Sequence, residues 1–199
     1  DAFKNSLALT TVVIPDTVTT IGQCAFQNCS NLKSVKLSNS VTEIGGGAFA
    51  DCDSLTSIQI PKSLETTTKF FDKNYKYGIF YGCDNLQNVT FEAGTTQIAN
   101  NLFANSGIKK IEIPDTVTSI GSGAFEDCAI LTSIEISGSV TTIGSSAFNG
   151  CSSIETISIP DSVTSIHGSA FANCVSLISI AIPDTVTTIG QCAFQNCSN

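Results

Sequence analysis

Residues 124–146 read AFEDCAILTSIEISGSVTTIGSS, and most of the chain is a variation on those 23 letters. Aligned on its phenylalanine, the unit recurs at Phe3, Phe26, Phe49, Phe80, Phe103, Phe125, Phe148, Phe171 and Phe194. Six of the eight steps are 23 residues, one is 31 and one is 22. A fixed period of this length marks stacked repeats. One unit cannot bury its own Leu, Ile, Val and Phe, so neighbouring units must cover them.

Inside the unit, apolar residues flank an outward position, as Ile134 and Ile136 flank Glu135. That alternation predicts a short strand. Pro15, Pro61, Pro114, Pro160 and Pro183 follow it and end it, because proline has no N–H for a ladder. A second extended piece, Val-Thr-x-Ile, is closed by glycine at Gly22, Gly45, Gly121, Gly144 and Gly190. Ala-Phe-x-x-Cys then reads as one tight helical or 3₁₀ turn, too short to last as a helix alone. One period throughout predicts a single domain over residues 1–199, of about eight coils.

Composition narrows the chemistry. A hydrophobic fraction of 42% excludes a disordered chain. The net charge of -8 and nine scattered lysines leave no basic surface for a phosphate backbone, which excludes nucleic acid as a partner. No run approaches the roughly 20 apolar residues of a membrane span, so no direct membrane insertion is expected of this segment. A catalytic reading of His167 needs a nucleophile and an orienting acid, yet adjacent coils offer Gly144 and Gly190 at that slot. The stretches GGGAF at 45–49 and GSGAF at 121–125 lack the residues of a phosphate loop or a nucleophile elbow. The expectation is a protein without enzymatic activity, catalytic residues, metal or cofactor.

The recurring Ala-Phe-x-x-Cys, Leu-x-x-Ile-x-Ile-Pro and Val-Thr-x-Ile-Gly sequence resembles the BspA-like leucine-rich repeats, a 23-residue class. The likeness covers the chain except an insertion near residues 68–78. It implies a leucine-rich-repeat solenoid with a parallel β-sheet on the concave face and short strands and 3₁₀ or turn segments on the convex face. It also implies a cell-surface or secreted protein, since such proteins typically lie on or outside mucosal bacteria and protists. Some are adhesins for host matrix proteins or other cells, so protein or glycan partners on host, matrix or neighbouring cells are expected. No shared binding residues exist to carry across, because fold does not give the partner. The alternative is a structural spacer in a long surface array, with no ligand of its own.

Two sets of residues stand out. Phe26, Phe49, Phe80, Phe103, Phe125, Phe148, Phe171 and Phe194, with Cys29, Cys52, Cys83, Cys128, Cys151, Cys174 and Cys197, are expected to form an inward core ladder. A buried free cysteine behaves as a small hydrophobe. Packing thiols are therefore favoured over disulfides or metal, for which the C-x-x-C spacing is absent. Cys24 and Cys192 fall at a variable turn slot expected to be exposed, where an intermolecular bridge is the alternative to a plain turn.

The second set lies at the insertion, where Lys69, Phe71, Lys73, Tyr75, Lys76, Tyr77 and Tyr81 bring every tyrosine of the chain together. Aromatic residues give large contact area at low entropy cost, and loops added to a repeat often make its binding face. These are the candidate partner-binding residues. The competing reading is that Phe70 and Phe71 plug the gap left by the missing Ile-Gly. Outward strand positions such as Thr90, Glu112 and Glu135 suit extended, multivalent contact more than a deep pocket. The 22-residue step from Phe103, with Ser106 in place of cysteine, predicts a local kink.

IPDTVTTIGQCAFQNCSN occurs at 14–31 and again at 182–199. Identity that complete suggests a duplicated block. Both ends fall mid-coil without polar caps, so the chain is expected to be a fragment of a longer array whose ends could stack head to tail.

Overall fold

The computed structural model describes residues 1–72 and 75–198, with the backbone alone for 70–72 and 75–77. The chain winds into a parallel β-solenoid with no helix among the described residues. Before the insertion the strands are β1 (Thr11–Val13), β2 (Thr20–Ile21), β3 (Ser34–Lys36), β4 (Glu43–Ile44), β5 (Ser57–Ile60) and β6 (Thr66–Thr67). The insertion supplies β7 (Phe70–Asp72) and β8 (Tyr75–Tyr77), which pair antiparallel. Beyond it come β9 (Asn88–Phe91), β10 (Gln97–Ile98), β11 (Lys110–Glu112), β12 (Ser119–Ile120) and β13 (Ser133–Glu135). The last are β14 (Thr142–Ile143), β15 (Thr156–Ser158), β16 (Ser165–Ile166), β17 (Ser179–Ala181) and β18 (Thr188–Ile189).

These strands make two rows in register at one repeat. The longer ones line the concave face, where Val12 pairs with Val35 and Ile111 with Ile134. Their ladder joins them in twos: β1 with β3, β5 with β9, β11 with β13, and β15 with β17. The two-residue strands form the second row, as β2-β4-β6 and, past the insertion, β10-β12-β14-β16-β18.

The third side of each coil carries the phenylalanine, and the nine rings form one file with centroids 5.1 to 6.0 Å apart. Phe49, Phe80, Phe103, Phe125 and Phe148 are 0% exposed, and burying each such side chain contributes about 1.5–3 kcal/mol. Phe194 and Cys197, which have a coil on one side only, are half-buried.

The Ala-Phe segments are turns, as expected, closed by i→i+3 bonds such as that from Cys29 N–H to Phe26 O, and they do not extend into helix or 3₁₀. The residue two beyond each phenylalanine is left-handed, with φ of 57–77° at Asn5, Asn28, Asp51, Gly82, Asn105, Asp127, Gly150, Asn173 and Asn196. A run of 3₁₀ needs negative φ throughout, and a left-handed residue interrupts it. Every one of these residues is Asn, Asp or Gly, the types that tolerate that conformation.

The cysteine column has a bonding role as well as a packing one. Each thiol donates to the carbonyl of the phenylalanine one coil earlier, at 3.0–3.3 Å, as from Cys151 to Phe125 and from Cys52 to Phe26. Burial pushes the Cys52, Cys128 and Cys174 thiols up to about 12, and those of Cys83 and Cys151 well upward, so they stay protonated and able to donate. No disulfide joins any of the nine cysteines among the described residues. Cys24 departs from expectation: the neighbouring coil covers it and its thiol reaches Gly46 O at 3.8 Å, whereas Cys192 is exposed.

Candidate functional site

Two rows of main-chain bonds tie each coil to the next, and both stop at one place, where the concave ladder, which joins its strands only in twos, is open as well. In the phenylalanine row, Phe26 N–H donates to Ala48 O, Phe49 to Ile79 O, Phe103 to Ala124 O and Phe148 to Ala170 O. In the second row, Thr42 N–H donates to Thr19 O, Glu65 to Thr42 O, Thr118 to Thr96 O and Thr141 to Thr118 O. Neither Phe80 to Leu102 nor Thr96 to Glu65 follows suit among the described residues. β6 does not pair with β10, nor β9 with β11. The breaks follow the chain around one full turn, so a continuous seam separates a laddered block ending at β9 from one beginning at β10.

Local sequence accounts for the seam. The 31-residue step carries the second row past its partner into β7 and β8. Where five other coils have Ile-Pro and two have Leu37-Ser38 and Ile136-Ser137, this one has Phe91-Glu92, and the Phe91 ring stands edge-on to Phe103 at 6.3 Å and 89°. The larger side chain wedges the coils. On the far side the corner is one residue short, and Gly107 comes so near the preceding coil that a Cβ would meet Asp84 Cα at 2.5 Å. The ring file records the distortion, with 6.0 Å and 20° between Phe80 and Phe103, against 5.2 Å and 8° between Phe148 and Phe171. The kink expected at the short step is present, with 17° between Phe103 and Phe125, although that joint keeps its bond from Phe103 to Ala124.

Side chains hold the seam instead. Thr67 Oγ1 donates to Asn100 O, and Lys69 Nζ reaches across to the Glu126 carboxylate. Their side chains are only 13% and 11% exposed, so this ion pair is largely withdrawn from water. Tyr81 and Ser106 make an isolated antiparallel bridge. Ser106 Oγ lies 3.6 Å from Cys128 Sγ, in the slot where a thiol stands in other coils.

On the concave side the seam opens into a cleft of about 480 Å³ walled by Val89, Thr90 and Phe91, Glu112 to Asp115, and Glu135 to Ser137. A smaller one of about 260 Å³ adjoins it between Gln87–Thr90 and Lys110–Glu112. The rim is acidic, with Glu112, Asp115 and Glu135 all exposed. Sequence reasoning expected extended contact along the concave row more than a pocket; Phe91-Glu92, the one Phe-Glu at a slot held elsewhere by Ile-Pro, Leu-Ser or Ile-Ser, was the signal for this opening.

The sequence-derived candidates fall on both sides of that description. Lys69 is buried in its pair with Glu126, so it anchors the base of the insertion. Tyr81 is half-buried at the bridge to Ser106. Phe71, Tyr75, Lys76 and Tyr77 lie on β7 and β8, their side chains outside the described residues, as is the whole of Lys73. His167 is exposed on a second-row corner, its N–H donated to Ile143 O.

The BspA-type leucine-rich-repeat region, in six copies, matches residues 1–77 and 73–199. The chain belongs to the BspA-type leucine-rich-repeat family. Over 98% of its length this BspA-type chain is similar to a leucine-rich cell surface protein from Faecalibacterium prausnitzii, with 30% identity and a TM-score of 0.56. It is also similar, over 92% of its length, to the pneumococcal vaccine antigen PcpA, at 24% identity and a TM-score of 0.55, a likeness of fold alone. It spans 60% of the first protein and 47% of the second. No curated protein matches it.

Proposed function

We propose that the chain is a non-enzymatic recognition segment of a cell-surface or secreted protein, binding protein or glycan partners on host, matrix or neighbouring cells through the insertion and the concave face. The observation that carries this reading is the seam. A repeat protein gains stability from each laddered joint, so a joint that gives up both of the rows continuous elsewhere is a departure from the scaffold's own rule. Such departures from local consistency are expected at functional sites. They coincide here with the insertion, where the aromatic residues gather. Membership of a repeat family, together with likeness to a cell surface protein, supports the location.

The regular coils from Phe125 to Phe194 favour a second role for their part of the chain, that of spacer within one continuous solenoid domain. The spacing of the rows bears on self-association. Nine phenylalanine stations alternate with eight concave strands, so head-to-tail stacking of Phe194 on Phe3 leaves one concave strand missing at the joint.

The test is binding of the immobilised chain to a panel of fibronectin, laminin, collagen and mucin glycans. Recognition through the insertion requires that the triple variant Lys73→Ala, Tyr75→Ala, Tyr77→Ala lose at least about tenfold in affinity for whichever panel member binds. Undiminished binding by the folded triple variant, or no binding by the unaltered chain, contradicts it.

A further inference from the structure

At the seam's concave joint, two strands of the array lie side by side without pairing. Among the described residues β9 bonds only to β5, and β11 only to β13. The unladdered pairs β3 and β5, and β13 and β15, still lie in close contact, and β9 and β11 stand farther apart. Along a parallel strand, successive residues turn their N–H and C=O to opposite neighbours. Asn88 N–H goes to Thr56 O and Glu92 N–H to Ile60 O, so Val89 and Phe91 turn theirs toward the cleft. On the other wall Thr132 N–H goes to Lys109 O and Ile113 N–H to Glu135 O, which leaves Lys110 and Glu112 facing inward. Unpaired strand edges are templates for extended chain.

Charge on the rim selects which chain. Glu112 and Glu135 are register partners and both exposed, and like charges directly opposite one another weaken a sheet. Lys110 lies 3.3 Å from Glu112, with both side chains well solvated, so that pair contributes little. No described cation pairs with Glu135. Asp115 extends the acidic wall and accepts a hydrogen bond from Ser137 Oγ at 3.1 Å. Between the carboxylates the accessible apolar surface is that of the half-buried Phe91 and Ile136.

We propose that the cleft between β9 and β11 binds an extended protein segment carrying a lysine or arginine, its cation held between Glu112 and Glu135 and its neighbouring apolar side chain on the half-buried Phe91 and Ile136. This deepens the recognition reading above and rests on it. The segment's backbone bonds to an open strand edge, and its cation relieves the repulsion between the two glutamates. Binding therefore weakens as salt rises, since the carboxylates are exposed.

The probe is a fluorescein-labelled heptapeptide of alternating valine and threonine with a central lysine, beside the same peptide with a central glutamate, followed by anisotropy. The lysine peptide should bind at least about tenfold more tightly than the glutamate peptide. The double variant Glu112→Gln, Glu135→Gln should lose that same tenfold or more, with its melting temperature at or above that of the unaltered chain. Glu155→Gln, exposed elsewhere on the array, should bind as the unaltered chain does. Equal affinity for both peptides, no binding of either, or full binding by the double variant overturns the proposal. Panel binding that persists when the peptide fails to bind removes the cleft and leaves the recognition reading standing. Peptide binding with a silent panel does the reverse.

Discussion

The joint between the coils of Phe148 and Phe171 and the joint between those of Phe80 and Phe103 are built from the same kinds of residue. At the first, Phe148 N–H meets Ala170 O at 2.7 Å, Thr164 N–H meets Thr141 O at 2.9 Å, and a thiol caps the Phe148 carbonyl. At the second the rings still stack, but all three supports are gone and an ion pair, a threonine bond and one bridge replace them. Stacked apolar side chains therefore suffice to keep the coils in line. Regularity of the backbone ladder is a separate property, and this chain gives it up at the insertion.

Deleting a ring tests that separation most severely. Phe148→Ala should cost about 3–5 kcal/mol, while Phe80→Ala should fall at or below the lower end because the unladdered coil can relax into the space. Denaturant titration reads both, and a larger loss at Phe80 would reverse the comparison. Next comes the clasp. Glu126→Ala leaves Lys69 buried without its partner and should cost about 3 kcal/mol. A double variant, Lys69→Met with Glu126→Leu, should recover most of that loss.

The thiol column sets the alkaline limit. Its folded pKa values lie above the ordinary thiol value of about 8.5, reaching about 12 at Cys52, Cys128 and Cys174. The stability this represents is complete below about pH 8.5 and is lost as pH rises through the folded values. The urea midpoint should fall between neutral and strongly alkaline solution, and less so in Cys151→Ala. The smallest effect is a repair: Ser106→Cys supplies the missing thiol donor to the Phe80 carbonyl and should stabilise by about 0.5–1 kcal/mol.

The repeated eighteen residues separate what the letters carry from what they do not. At Cys24 and Cys192 φ is 51° and 59°, and at Asn28 and Asn196 it is 58° and 60°. The backbone of the turn is thus local, written in the period and in the Asn, Asp or Gly after each phenylalanine. Burial is not. Ile21 is 4% exposed and its counterpart Ile189 is 52%, because a coil covers one and not the other. For the same reason Cys24 could not be placed from its turn position. The ring file and the thiol column follow from a period that sets every coil in the same register. The seam does not, because it depends on how the register resumes after β8, and on Phe91 acting as a wedge that an alternating apolar pattern reads as one more inward residue. The clasp was hidden for a similar reason: Lys69 and Glu126 are 57 residues apart, and only stacking brings them together.

Amide hydrogen exchange resolved by residue tests the seam most directly. Phe80, Thr96 and Ala99 should exchange at least about a hundredfold faster than Phe103, Thr118 and Gly121, whose N–H groups are bonded to the next or preceding coil. Equal protection across the six amides would contradict a stack that is broken along one turn.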